Sequence, residues 1–368
     1  MNGPDLERIA RRFVAGDAFV KADPYGEGHI NDTYAAWFRD AEGKLYRTLL
    51  QRINTRVFPD PDGLMENISN VTKFLKNKIA AEGGDPLRET LTVVPTLDGR
   101  LFYRNADGLC YRMYVFIENA TTYQSCRSDR DFYNCGASFG NFQRRLADYP
   151  ANMLKETIPD FHNTVKRFAA FREAVQKDRL GRGSTARREI DFALSREKDA
   201  GLLMSQLDSG SLPYRVTHND TKLNNILIDD KTGKGLCVID LDTVMPGAAC
   251  FDFGDSIRFG ASTAAEDETD LSRVSMSLRL FEVFTEGYMS VAGKFLTREE
   301  RRSLSVGAKL MTFECGIRFL TDYLSGDTYF KISRPQQNLD RCRTQFTLVA
   351  DMERKMEQMQ KIVEKYSA

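Results

Sequence analysis

No apolar run in this sequence approaches the roughly 18–20 residues that cross a bilayer, so no membrane partner is expected. Neither charge is in surplus: Lys plus Arg and Asp plus Glu number 52 each, and the isoelectric point lies near 6.9. Nucleic-acid binders carry a basic excess, so no nucleic acid is expected either. The seven cysteines (Cys110, Cys126, Cys135, Cys237, Cys250, Cys315 and Cys342) are odd in number and include no Cys-x-x-Cys pair. That spacing argues against a metal clip and against a disulfide scaffold. The first residues, MNGPDLERIARRF, lack a basic start followed by an apolar stretch. No signal peptide is read there, and a reduced, cytoplasmic protein is the expectation. No repeat and no low-complexity tract appears, and nothing implies a protein partner. What is present is a globular composition, 42% hydrophobic and 28% charged, over 368 residues. At roughly 100–200 residues per domain, that length suggests two domains or one two-lobed unit.

The first third alternates strand and turn signals. Short strands are expected at Phe19 to Ala22, Thr33 to Phe38 and Leu45 to Ile53, with turns at Pro24 to Gly28 and Asp40 to Gly43. Leu64, Ile68, Val71, Leu75 and Ile79 then recur at helical spacing. Strand signals resume at Leu91 to Val94, Arg100 to Arg104 and Leu109 to Phe116. Beyond residue 117 helices dominate: Phe132 to Ala147, Phe161 to Val175, Leu271 to Ala292 and Arg301 to Leu324. A closing helix carries Met352, Met356, Met359, Val363 and Tyr366 on one stripe, the pattern of core packing. The pattern predicts an α+β fold, a small antiparallel sheet with one helix over 1–116 and a helical part over 117–368.

The polar exception within the helical part is 214–260. There Thr217-His218-Asn219-Asp220-Thr221-Lys222-Leu223-Asn224-Asn225 precedes two short apolar strands, which flank a Gly-containing turn and end at Asp240. A hairpin of that kind is expected to bring Asp220, Asn225 and Asp240 together. Their oxygens are hard donors, suited to Mg²⁺ carrying a triphosphate. A His two residues before an Asp and an Asn five residues after it is the spacing of a kinase catalytic loop. His218, Asp220 and Asn225 fit it, and Lys222 lies where a cation would neutralise a γ-phosphate. Asp252-Phe253-Gly254 spells another kinase motif, but it follows no apolar strand. Asp240 is therefore read as the metal ligand and Asp252 as a brace for the loop. Asp242 is a second ligand or merely polar. The loop Gly26-x-Gly28 offers backbone amides to phosphates. No Lys stands on the third strand, where a kinase carries one, and Arg52 with Glu66 is the nearest substitute pair. The segment Tyr114 to Glu118 is expected to lie against adenine.

At these residues the sequence resembles the aminoglycoside phosphotransferase-like kinase superfamily. Within it, the sequence looks much like the N-acetylhexosamine 1-kinases. The resemblance rests on Tyr25 to Asn31, on THNDTKLNN at 217–225, on IDLDTVMPG at 239–247, on FDFGDSIRFGA at 251–261 and on ECGIRF at 314–319. It implies a two-lobed protein-kinase-like fold that moves the γ-phosphate of ATP, with Mg²⁺, onto the anomeric hydroxyl of an N-acetylhexosamine (GlcNAc or GalNAc). It implies Asp220 as base, Asn225 and Asp240 as metal ligands, and His29, Phe259 and Arg318 around the sugar. The residues alone leave other readings open. Arg318 fits equally as an i,i+4 partner of Asp322, and Phe259 as core. Another kinase of a small alcohol (a different sugar, choline, homoserine or an aminoglycoside) and a nonenzymatic nucleotide-binding pseudokinase also fit. A protein kinase is disfavoured because no Ala-Pro-Glu element follows Asp240.

Overall fold

The structure, a computed structural model, describes residues 3–26 and 30–367. In chain order its first elements are α1 (Gly3–Ala10), β1 (Ala18–Pro24), β2 (Asp32–Arg39), β3 (Leu45–Ile53), α2 (Pro61–Ala81), β4 (Val93–Val94), β5 (Tyr103–Arg104), β6 (Cys110–Val115) and β7 (Ala120–Thr121). There follow α3 (Asp129–Arg145), α4 (Thr164–Lys177), α5 (Arg187–Leu194), α6 (Leu202–Asp208), β8 (Arg215–Thr217), β9 (Ile226–Asp229), β10 (Gly235–Val238) and β11 (Met245–Gly247). The last are α7 (Ala249–Gly260), α8 (Leu278–Ala292), α9 (Arg298–Ser325) and α10 (Gln337–Lys365).

The chain packs as two units. One takes in the chain up to Thr121 together with Leu154–Ile158 and Leu227–Val244. Its antiparallel sheet runs β1-β2-β3-β6-β4, with β5 also beside β6. Alternation places Ala36 and Phe38 of β2, Leu50 of β3, and Tyr111 and Met113 of β6 in one core. Leu6, Ile9 and Ala10 of α1 and the following Phe13 join that core. Helix α2 buries Leu64, Ile68, Val71, Leu75 and Ile79, the stripe that the periodicity predicts, and Asp60 caps its first turn. The strands expected at 91–94 and 100–104 shrink to two residues each. The hairpin β9–β10, with β7 on its outer edge, packs with this unit although it lies far along the chain. Its turn is held by Asp229, whose carboxylate accepts the backbone N–H of Lys231 and Thr232, and by Gly233 at φ +67°.

The other unit comprises Thr122–Met153, Pro159–Ile226 and Met245–Ala368. It is helical apart from the short pair β8–β11 and one bridge between Ser262 and Met276. Helix starts are set by polar caps: Ser128 for α3, Asn163 for α4, Ser277 for α8, and Thr297 with Glu300 as a capping box for α9. Two helices therefore begin later than their apolar pattern suggests. The one expected from Phe161 starts at Thr164. The one expected from Leu271 starts at Leu278, behind a separate turn at Leu271–Arg273 that Asp270 caps.

Candidate active site

The segment 218–225 is irregular backbone, so its own N–H groups need partners from elsewhere. Helix α7 supplies them. Asp252 is fully buried, and its carboxylate accepts the backbone N–H of His218 at 2.9 Å and of Asn219 at 2.8 Å. The Asp255 carboxylate accepts that of Thr221 at 3.0 Å. Gln143 Nε2 donates to Asp252 at 2.6 Å, and the Ser256 hydroxyl donates to the Thr221 carbonyl at 2.8 Å. The literal Asp-Phe-Gly is thus a rack for the loop, the bracing role expected of Asp252. His218 is also structural: it is fully buried, with its ring edge-on to Phe139 and Phe142. Asn219 adopts φ +65°, a left-handed conformation that Asn tolerates better than most residues.

That rack leaves Asp220 half-buried and surrounded by donors. Lys222 Nζ lies 2.7 Å from Asp220 Oδ1. Asn225 Nδ2 donates to the Asp220 carbonyl at 2.8 Å and to Oδ2 at 3.0 Å. Burial raises the Asp220 pKa, but Lys222, His218 and Asn225 more than offset it, and the carboxyl ends below its ordinary value. For Lys222, burial opposes the charge, while Asp220 and Asp255 outweigh it and raise the ammonium pKa. Because its amide nitrogen is committed to Asp220, Asn225 keeps its Oδ1 as a hard oxygen donor.

In the sheet unit, Asp240 is exposed and lies two residues beyond the end of β10, at φ +58°. Asp242, two residues on, is buried: Asn31 Nδ2 donates to it at 2.7 Å, and Arg112 Nη1 lies 2.5 Å from its other oxygen. Arg112 is itself 1% exposed and donates through Nε to Gln51 at 3.0 Å. Burial opposes its charge, and Asp242 with Tyr114 and Asp240 outweighs that and raises its pKa. Asp242 is therefore held as half of a buried ion pair. Among the described residues, no group of three or more His, Cys, Asp or Glu side chains gathers as a metal cage. A kinase Mg²⁺ needs none, since one or two protein oxygens and phosphate oxygens suffice. Taken each by itself, the Asn225 amide oxygen of the helical unit and the exposed Asp240 carboxylate of the sheet unit are hard oxygen donors of the type such an ion takes.

A sequence profile of the phosphotransferase enzyme family matches residues 22–278, more than half of the chain. The chain belongs to this family. Solved structures agree on the fold of this phosphotransferase. A microcompartment-associated aminopropanol kinase is 16% identical, with 97% of this chain and 98% of that chain covered at a TM-score of 0.58. Spectinomycin phosphotransferase, solved with ADP and spectinomycin, is 14% identical over 97% and 99% at 0.55. Choline kinase from Cryptosporidium parvum is 13% identical over 99% of each chain, also at 0.55. The phosphotransferase has their α+β kinase-like fold, an antiparallel-sheet N-terminal lobe and a helical C-terminal lobe. No helix among the described residues is long and apolar enough to cross a membrane.

The remaining sequence expectations for the phosphotransferase fare unevenly. Gly28 and His29 lie outside the described residues; Gly26 is in a bend at φ +76°. The Arg52–Glu66 pair does not form: Arg52 pairs with Asp32 across β2–β3, and Glu66 with Lys155. The third strand ends facing β2 at that point, so Arg52 meets the opposite carboxylate of the ladder first. The buried cation of this region is Arg112, across β3–β6 from Gln51, which sequence reasoning missed. Tyr114 is buried, and Arg112 lies 5.3 Å from its ring. Glu118 is gripped at both oxygens by Arg47, at 2.9 and 2.8 Å. Phe259 is exposed at the end of α7, 6.0 Å from Lys222 Nζ, and is not core. Arg318 does not pair with Asp322, whose carboxylate accepts the backbone N–H of Thr328, Tyr329 and Phe330. Its guanidinium instead lies 5.1–5.9 Å from the rings of Phe161, Phe330 and Tyr329.

Proposed function

We propose that this phosphotransferase moves the γ-phosphoryl group of ATP onto the anomeric hydroxyl of an N-acetylhexosamine. The observation that carries the phosphoryl transfer is Asp220, ionised, partly open and fixed by Lys222 and Asn225 on a loop hung from α7, and the sugar rests on the likeness of 217–225 and 239–247 to the N-acetylhexosamine 1-kinases. Asp220 accepts a hydrogen bond from the acceptor hydroxyl and takes its proton as the oxygen–phosphorus bond forms and the bond to ADP breaks. An anomeric hydroxyl is more acidic than an ordinary alcohol, so a carboxylate of low pKa suffices. Phosphoryl transfer asks the protein mainly for position and charge. Lys222 neutralises charge on the moving phosphoryl group. Asn225 Oδ1 and Asp240 would hold Mg²⁺, which supplies charge neutralisation on the phosphates when bound. Gly26, Gly28, Arg52, Tyr114 and Glu118 are assigned to the nucleotide, and His29, Phe259 and Arg318 to the sugar.

The second reading is phosphorylation of another small alcohol, favoured by the fold's likeness to an aminopropanol kinase and a choline kinase. One experiment separates them. The protein is incubated with MgATP and GlcNAc, GalNAc, galactose, choline, homoserine and kanamycin in parallel, and phosphorus NMR locates the new phosphate. Phosphate on C1 of an N-acetylhexosamine is expected, and Asp220→Asn should abolish it while keeping nucleotide binding. Phosphate on a different acceptor replaces the substrate assignment. Full turnover by Asp220→Asn removes Asp220 from the mechanism.

A further inference from the structure

Of the three histidines in the chain, His162 alone lies outside the stretches 25–31 and 217–225. It precedes Asn163, whose side chain caps α4, so the start of that helix fixes its backbone. Its ring sits between those of Phe161 and Phe251, with centroids 4.6 and 5.6 Å away, and its side chain is 10% exposed. Phe251 belongs to α7, the helix from which the loop 218–225 hangs. His162 Nδ1 lies 2.7 Å from Oε1 of Glu314, on α9, and the Thr164 hydroxyl donates to Oε2 of the same carboxylate at 2.7 Å. Nε2 lies 3.4 Å from the carbonyl oxygen of Asn219, the longest link of the set. All of these residues belong to the helical unit.

Both partners of the ring are acceptors. Burial pushes the Glu314 carboxyl up, but His162, Arg318 and Thr164 more than offset it, so it is ionised at neutral pH and accepts at both oxygens. A carbonyl oxygen only accepts. Nδ1 therefore donates to Glu314 and Nε2 to Asn219, and the two contacts have different consequences. The first pairs a carboxylate that is 1% exposed, which is a matter of stability. The second acts on the peptide bond that leads into Asp220. Asn219 holds a left-handed conformation, φ +65°, and its N–H is taken by Asp252 at 2.8 Å. Its carbonyl shares a peptide plane with the Asp220 N–H, which faces His218 Nδ1 at 3.3 Å. Turning that plane swings Asp220, and a misplacement of about 1 Å can cost on the order of 10²-fold in rate.

We infer that His162 is a positioning residue for the phosphoryl transfer: through Nε2 it ties the Asn219 carbonyl, and with it the orientation of Asp220, to a ring anchored on Glu314. The inference rests on the reading of Asp220 as the base, and not on which alcohol that base serves.

Side-chain length separates the two contacts. His162→Gln keeps a donor near the place of Nε2, within reach of Asn219, whereas His162→Asn keeps one near that of Nδ1, within reach of Glu314. For both variants kcat and KM are measured with the acceptor that the NMR screen selects, and melting by calorimetry. Hydrogen exchange of the peptide 217–225, followed by mass spectrometry, needs no acceptor. His162→Asn is expected to lower kcat about tenfold or more with KM for ATP unchanged, and to speed exchange in the loop, while melting stays near that of the wild type. His162→Gln is expected to recover kcat to within about threefold and to melt several degrees lower, because Glu314 has lost a donor. Should it melt too early to assay, Glu314→Gln added to it removes the unpaired charge, and the double variant is expected to keep the recovered kcat. If kcat and exchange follow the melting temperature, or are equal in the two variants, His162 is only a tie between α4 and α9 and the inference is overturned. An inactive Asp220→Asn beside a fully active His162→Asn would keep the base and sink the inference. An active Asp220→Asn beside a slowed His162→Asn would remove the base and leave His162 as the anchor of the loop.

Discussion

Two aspartates with a single residue between them show how much environment decides. Asp240 is exposed on a left-handed backbone, whereas Asp242 is buried between Asn31 and Arg112. A carboxylate already satisfied by a buried guanidinium has little left for a metal, and removing it strands a buried cation. Losing one partner of such a pair costs about 3–5 kcal/mol. Asp240→Asn should therefore lower turnover on the order of 10²–10³-fold with little change in melting, a loss typical of one electrostatic contact to the transition state. Asp242→Asn should instead lower the unfolding free energy while residual folded enzyme still turns over. Urea unfolding and kcat on both variants check this, and a swap of the two phenotypes would reverse the assignment. The same contrast marks what is readable from residue order. Asp220, Asn225 and Asp240 stand at fixed offsets around one loop and one hairpin, so local spacing picks them out as candidates. Arg112 meets Asp242 only through the β3–β6 ladder and a turn after β10. No local period encodes contacts of that kind.

At the scale of elements, the apolar periods located the long helices but not the shorter α1, α5, α6 and α7, and for α4 and α8 they missed the first turn, because caps set it. Ser277 and Asn163 each accept a backbone N–H three residues on, so α8 and α4 start behind them and not at the first apolar residue. The contact of α3 with α8 rests on glycine. A Cβ on Gly287 would overlap the Tyr133 carbonyl oxygen, and one on Gly136 would overlap that of Phe284. The helices approach with backbone against backbone, and a methyl group there must push them apart. Overpacking of this kind costs typically about 1–3 kcal/mol, so Gly287→Ala should lower the melting temperature by several degrees. Gly201 provides the control. It has ordinary negative φ and open space where its Cβ would go, so Gly201→Ala should be neutral or slightly stabilising. Calorimetry of both variants decides, and equal melting temperatures would mean that the helices give way freely.

Across the whole molecule, the buried acidic groups are unevenly placed. Asp220, Glu314 and Asp351 all belong to the helical unit, and all have pKa values below the ordinary 3.8 or 4.5. In each case burial pushes the value up and is outweighed: by Lys222 for Asp220, by His162 and Arg318 for Glu314, and by Lys355 and the Met276 N–H for Asp351. A carboxyl depressed by folding stabilises the native state fully above its unfolded pKa, and that contribution is lost as pH falls through the lower folded value. Asp252 has the opposite sign, because burial dominates and raises it; its penalty appears as pH climbs above 3.8 and partly offsets the others. In the sheet unit the depressed carboxyls, Asp98 and Asp229, belong to surface turns, and the buried Asp242–Arg112 pair is a single site there against three in the helical unit. Acid should therefore undermine the helical unit first. The molecule carries the means to see this, since its single tryptophan, Trp37, is on β2 in the sheet unit, while most helix lies in the other. Stability should be level from neutrality to about pH 5 and fall below about pH 4.5. Titrated together, the far-ultraviolet helix signal is expected to collapse at a higher pH than Trp37 fluorescence changes. Glu314→Gln, which cannot be protonated, should flatten the acid limb of the helix signal. Coincident transitions in the wild-type protein would show one cooperative unit, and would remove the claim that the buried carboxylates of the helical unit set where acid unfolding begins.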